Sequence, residues 1–176
     1  MVTVSSRFAF RDMTGSDLGD VIGWHAAPHV APWRPGEPDL AAARRKYLPW
    51  IRGEHPNHLS VVLADGRACG YAWHYRVGDH RDYALATGEP DAVGFDVVIG
   101  DATACGPDLA PAMLREYLRQ VVLKAHPDAR RLVSSPPTGE AETIRALTAA
   151  GFAPLRDITV FDGEPAETLL LLTIGG

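Results

Sequence analysis

A single carboxylate interrupts the apolar run "VGFDVVIG", residues 93–100, at Asp96. Charged groups are seldom buried without a partner or a task, so Asp96 is the first candidate for handling a proton. A positioned general base typically contributes roughly 10²–10⁴-fold to a rate. Further along, "ACGPDLAPAM" turns through Gly106 into a helix. The first turn of a helix offers unpaired N–H groups and a positive dipole end, which suit a phosphate. Pro107 and Pro111 each remove one donor, and Asp108 is placed to cap the helix and occupy the same amides. The histidine pairs His25/His29 and His55/His58 raise the question of a metal. Each encloses a proline, Pro28 or Pro56, and no third ligand accompanies either, so no metal is expected.

The elements that must position these groups are read from a chain of 176 residues, a length that suits one domain with a sizeable core. Its 46% hydrophobic and 22% charged residues are those of a globular protein, and no apolar run is long enough to cross a bilayer. The start "MVTVSSRFAF" lacks the basic segment and apolar core of a signal peptide, which predicts a cytoplasmic protein with no membrane partner. Cys69 and Cys105 are too few for a disulfide framework and match no metal-ligand spacing. A formal charge of −5 argues against nucleic acid and permits a cationic small molecule.

Periodicity supplies the elements. "RFAFRDM" alternates like a strand, and Thr14-x-x-Asp17 is a capping box ahead of a helix carrying Leu18, Val21 and Ile22. Leu40, Ala43, Tyr47 and Ile51 share one face of a second helix. "HLSVVLA" and "RACGYAWHY" flank Asp65-Gly66, a hairpin signal. Residues 76–91 read as polar and irregular, and Gly94 in the next strand as a bulge. Ala110, Met113, Leu114, Tyr117, Leu118, Val121 and Val122 form the apolar stripe of the clearest helix. "RRLVSS" is a strand, "TGEAETIRALTAAG" a helix capped at Gly151, and "FAPLRDITVF" and "PAETLLLLTI" a closing hairpin around Asp162-Gly163. Hairpins together with strand–helix alternation imply a mixed sheet covered by helices. If "TLLLLTI" lies at a sheet edge, it offers an interface, and the expected state is monomer or homodimer.

This order is similar to the GCN5-related N-acetyltransferase fold, and the residues resemble the bacterial aminoglycoside 6′-N-acetyltransferases from about residue 8 to 172. "WHAAPHVAPW" resembles that family's substrate lip, "KYLPWIRGE" its second helix, "GYAWHY" its third strand, and "GFDVVIG" the strand bearing its active-site acid. "AAGF" followed by "FDGEPA" resembles its C-terminal hairpin. The resemblance implies an α/β fold, a mixed and mostly antiparallel sheet flanked by about four helices. It also implies acetyl-coenzyme A as co-substrate and a polycationic amine as acceptor. Asp96 would then be the base, and the backbone of Val97, Val98 and Ile99 would face the thioester where the strand splays from its neighbour. Cys105, Gly106, Asp108, Leu109, Ala110 and Pro111 would hold the pyrophosphate.

Trp33, Asp79, Asp82, Ser135 and Asp162 fall at the family's acceptor-binding positions. The plain readings are lip packing for Trp33 and Trp24, solvated loop charges for Asp79 and Asp82, and a hairpin turn for Asp162. The chain departs from the family pattern in several places. Cys105 and Asp108 replace an amide or basic residue and a glycine of the phosphate loop. Leu147 stands where a tyrosine proposed to protonate the thiolate would be, Ser135 where an acid grips the antibiotic, and Glu140 where an asparagine lies. Two other functions compete with antibiotic acetylation. A siderophore-type lysine N-acyltransferase tends to carry histidine at the Asp96 position. A non-catalytic ligand-binding relative is suggested by Asp108, Leu147 and Ser135 together.

Overall fold

The computed structural model describes residues 6–175. Its strands are β1 (Phe8–Asp12), β2 (His58–Ala64), β3 (Arg67–Arg76), β4 (Val93–Ile99), β5 (Arg131–Ser134), β6 (Ala153–Ile158) and β7 (Glu167–Thr173). They form one seven-stranded sheet in the order β1-β2-β3-β4-β5-β7-β6, in which only β4 and β5 run parallel. The helices are α1 (Leu18–His25), α2 (Leu40–Ile51), α3 (Arg81–Thr87), α4 (Ala110–Tyr117), α5 (Leu123–Ala125) and α6 (Ala141–Ala149). None of the described helices is long and apolar enough to cross a membrane.

Local signals explain most of this. Thr14 N–H donates to Asp17 Oδ2 at 2.8 Å, which closes the capping box ahead of α1. At the β2–β3 hairpin both Asp65 (φ 48°) and Gly66 (φ 79°) take positive φ, as a primed turn requires. Met113, Leu114, Tyr117, Leu118 and Val122 are buried as the stripe predicts. Between α4 and α5 the path loosens into a π-helical stretch, Leu118–Val122.

Three expectations need correction. Residues 76–91 are not irregular throughout: a 3₁₀ turn (Val77–Asp79) leads into α3, which Gly88 closes in the left-handed conformation (φ 69°). Gly94 is not a bulge, because β3 and β4 pair without a register shift. A Cβ there would collide with the Tyr75 ring, so glycine makes room for that aromatic. The irregularity sits instead between β2 and β3, where Val62 pairs with Gly70 and Leu63 with Ala68, leaving Cys69 unpaired. Finally, "TLLLLTI" is not an edge: β7 lies between β5 and β6, and its apolar side chains fill the interior.

Three apolar clusters make up the interior, the smallest of them Val77, Ala92, Val133, Ile158 and Leu169. Phe95, Ala72 and Val62 pack under α4 and α6 with Tyr117, Leu118 and Leu147. Tyr71, Val61 and Val98 pack under α1 and α2 with Leu18, Val21, Trp24 and Tyr47. Because side chains alternate along a strand, Asp96 and its cross-strand partner Trp73 project toward the α1–α2 side.

Candidate active site

The parallel ladder between β4 and β5 has only two rungs, Val93↔Leu132 and Gly94↔Val133. Beyond Gly94 the strands part, and Asp96 is the second residue past that point. Val97 N–H donates to Asp96 Oδ1 at 2.9 Å, and the Ile99 carbonyl accepts from His29 Nε2 at 2.7 Å. Gly100 and Asp101 amides return to the bulged strand, both donating to the Cys69 carbonyl at 3.0 Å. The β4 terminus is therefore anchored on the β3 side and open toward β5.

The other oxygen of Asp96 is also engaged. Oδ2 accepts from Arg34 Nη1 at 2.7 Å, and Arg34 Nε lies 3.4 Å from Glu140 Oε2. Arg34 comes from the lip between α1 and α2. Its amide donates to the Val30 carbonyl at 2.9 Å, and its own carbonyl accepts from His25 Nδ1 at 2.8 Å. His25 must then accept from the Tyr71 hydroxyl at Nε2 (2.7 Å), a neutral form that burial favours by lowering its pKa. Burial alone would lower the pKa of the guanidinium, but Asp96 and Glu140 outweigh it and hold Arg34 above its ordinary value. The pair is largely closed off, with 12% of the Arg34 side chain and 21% of that of Asp96 accessible. Sequence reasoning missed Arg34 altogether. Its partner is 62 positions away, and a proline-rich lip has no periodicity to reveal which way a side chain points.

Beside Asp96 opens a cavity of ≈ 340 Å³. Trp73, Tyr75, Tyr83 and Phe161 give it aromatic walls, while Asp82, Asp96, Glu164 and Glu167 supply carboxylates against the single cation of Arg81. Ser135 lies in this wall and donates to Glu167 Oε2 at 2.6 Å, with the Tyr83 hydroxyl 2.8 Å from the same serine oxygen. Burial raises the pKa of Glu167, the Ser135 hydrogen bond offsets part of that, and the charge of Asp96 adds to it. Burial likewise pushes Tyr83 up to about 12 and Tyr75 well above its ordinary value, so both phenols stay protonated. His80, also in the wall, is shifted down by burial against the opposing effect of Asp79.

The predicted acceptor residues divide accordingly. Asp82 and Ser135 line the cavity. Trp33 lies outside its wall but packs over Gly139, next to Glu140, where a Cβ would come within 2.6 Å of the indole. Asp79 sits in the 3₁₀ turn and Asp162 at the exposed hairpin tip, and neither lines the cavity. Glu167 was not foreseen; its one signal is a lone acid at the mouth of an apolar strand.

The cofactor candidates divide too. Val97, Val98 and Ile99 all lie on β4 beyond its last rung with β5, where the Val97 N–H is taken by Asp96 Oδ1 and the Val98 side chain is buried in the α1–α2 core. In the following turn the Leu109 and Ala110 amides donate to the Gly106 carbonyl at 3.0 and 3.2 Å, and the Cys105 amide donates to the Asp101 carbonyl at 3.2 Å. Asp108 is exposed and caps nothing: the cap position falls on Leu109, correcting the expectation of a competing aspartate cap. The side chain of Cys105 faces the core, and burial pushes its thiol up to about 11. Leu147 is core. Pro111 stands in the first turn of α4, leaving Gly106, Asp108 and Ala112 as the backbone donors near its start. A strand opening fits a thioester arm, and a turn with few free amides fits a loosely held diphosphate. Among the described residues no group of three or more His, Cys, Asp or Glu could hold a metal ion.

A family model described as an acetyltransferase (GNAT) domain matches residues 14–160. A comparison with curated proteins found no match. Among solved structures, the aminoglycoside acetyltransferase AAC(6')-Ib in complex with coenzyme A superposes with a TM-score of 0.81 at 23% identity, covering 94% of each chain. The same enzyme with coenzyme A and kanamycin gives the same values. An aminoglycoside N(6')acetyltransferase from Legionella pneumophila gives 0.73 at 19% identity, covering 97% of this chain and 94% of that one.

Proposed function

The chain belongs to the GNAT acetyltransferase family, and on that premise we propose that it transfers an acetyl group from acetyl-coenzyme A to an amine of a polycationic aminoglycoside. The observation that carries this reading is the cavity beside Asp96, where four aromatic side chains and four carboxylates, one of them Asp96 paired with Arg34, face the guanidinium of Arg81. Ammonium groups gain from scattered carboxylates in a concave, partly desolvated site, and aromatic faces accept the apolar side of a sugar ring. The structures of AAC(6')-Ib with coenzyme A and kanamycin support the same pairing of ligands.

In this reading the β4 edge at Val97–Ile99 and the turn from Gly106 to the start of α4 hold the co-substrate. When bound, the thioester supplies an activated acetyl group. Asp96 sits beside the opening and receives the proton that the reacting amine must shed. Glu167, Glu164 and Asp82 hold the remaining ammonium groups. The Tyr83 phenol, which stays protonated, donates to Ser135 and so steadies Glu167, while the Tyr75 phenol lines the cavity in its protonated form. No tyrosine stands at Leu147, and a thiolate leaving group needs little help to depart.

A second reading, a ligand-binding relative without turnover, is favoured by two observations: Asp96 is paired with Arg34, and the phosphate turn has few free amides. Coenzyme A calorimetry separates the two readings, since the transferase must bind it. The acceptor is tested with kanamycin beside an analogue bearing a 6′-hydroxyl, products being identified by mass spectrometry. Acetylation of the amine alone supports 6′ selectivity. Transfer only to a hydroxylated lysine would favour the siderophore alternative.

A further inference from the structure

Arg34 bridges the two sides of the opening. One end of its guanidinium holds Asp96 on β4, and the other approaches Glu140, which follows β5 at the entrance to α6. With Val97 N–H on Oδ1 and Arg34 on Oδ2, both Asp96 oxygens are taken. A cation already stands where an acceptor ammonium would be received. The second contact is only half made: at 3.4 Å, Arg34 Nε and Glu140 Oε2 are each buried without a hydrogen-bond partner. A buried donor and a buried acceptor left unpaired side by side are costly, and a small movement would join them.

We propose that Arg34 is an internal surrogate for the acceptor ammonium, exchanging between Asp96 in the acceptor-free protein and Glu140 when the amine arrives. This rests on the acetyl-transfer reading for the identity of the amine, and it makes Arg34 a residue that sets acceptor specificity. Acceptors pay for the exchange: apparent affinity is reduced by the fraction of molecules in which Asp96 is free. A single ammonium must compete with a guanidinium held at 2.7 Å, whereas a polycation offsets the exchange through its contacts to Glu167, Glu164 and Asp82. The arrangement selects for acceptors with several charges over simple amines.

Kanamycin binding by calorimetry, with melting curves as controls, tests this in the parent, Arg34→Gln and Glu140→Gln. Arg34→Gln, which removes the competitor, is expected to tighten kanamycin several-fold. Glu140→Gln, which removes the charge of the second seat, is expected to weaken it several-fold. Unchanged or weaker binding by a folded Arg34→Gln protein overturns the exchange, and if that variant does not fold, unchanged binding by Glu140→Gln overturns it. Thiol release, measured alongside, keeps the two proposals apart. Release with equal kanamycin affinity in all three proteins keeps acetyl transfer and removes the exchange. Tighter binding in Arg34→Gln without any release keeps the exchange and removes acetyl transfer.

Discussion

Ser135 donates a 2.6 Å hydrogen bond to Glu167, joining the residue after β5 to the first residue of β7. The family resemblance places an antibiotic-gripping acid at the serine, and the carboxylate instead reaches the cavity from the neighbouring strand. Tyr83 adds a phenol to the same serine oxygen, so the acid is held from a fixed direction. No Lys or Arg pairs with Glu167 among the described ion pairs.

Glu167→Gln is therefore expected to raise KM for a polycationic acceptor while leaving acetyl-coenzyme A affinity unchanged. A hydrogen bond to a charged group is worth about 1.5–3 kcal/mol, which sets the scale of the loss. Steady-state kinetics check it; equal KM in variant and parent would remove Glu167 from the acceptor site.

The same residue shapes the pH dependence of stability. Its pKa is raised in the folded protein, so over the window just above 4.5 the native state keeps a proton that the unfolded chain has lost. Stability attributable to Glu167 falls as pH rises through that window, and Glu167→Gln should flatten the decline in melting temperature there.

Asp96→Asn should lower turnover by roughly 10²–10⁴-fold if Asp96 takes the proton. It should also lower the melting temperature, because Arg34 loses its closest counter-charge; removing one partner of a buried pair costs about 3–5 kcal/mol. The combination Arg34→Met with Asp96→Asn should recover stability without activity. Thermal melts beside kinetics separate the two effects.

What the sequence made legible follows the reach of its signals. Thr14 and Asp17, the Asp65-Gly66 turn, and the Met113–Val122 stripe act within one or two turns of chain, and each appears as read. α3 escaped because its seven residues are too few to establish a period and begin with two charges. Gly94 was misread because a glycine in a strand marks either a bulge or a close neighbour, and only the fold brings the Tyr75 ring over it. Asp96 was legible as an acid in an apolar run. Its pairing with Arg34, like the approach of Glu167 to Ser135, depends on chain segments far apart in sequence.

At the start of the first helix, the pKa of Asp17 is lowered to about 2, chiefly by its hydrogen bond from Arg11 and against the effect of burial. Its contribution to stability is present above the ordinary value of 3.8 and is lost as pH falls through about 2. Asp17→Asn should soften this acid limb, and Asp17→Ala, which also removes the acceptor of the capping box, should cost about 1 kcal/mol more at neutral pH. Acid titration of the melting temperature checks both.

Asp108 is exposed and does not cap α4, so its influence on coenzyme A is that of charge alone. Asp108→Asn should tighten coenzyme A by about 0.3–1 kcal/mol at low salt and leave the melting temperature unchanged. Calorimetry at two salt concentrations reads the gain and its screening.

Thiol release from acetyl-coenzyme A, followed continuously against kanamycin concentration at low and high salt, reads acetyl transfer itself. The expected result is saturable release that depends on kanamycin, with KM rising as salt screens the acidic cavity. Release no faster than spontaneous thioester hydrolysis at every kanamycin concentration, in protein shown to bind coenzyme A, would contradict acetyl transfer to this class of acceptor.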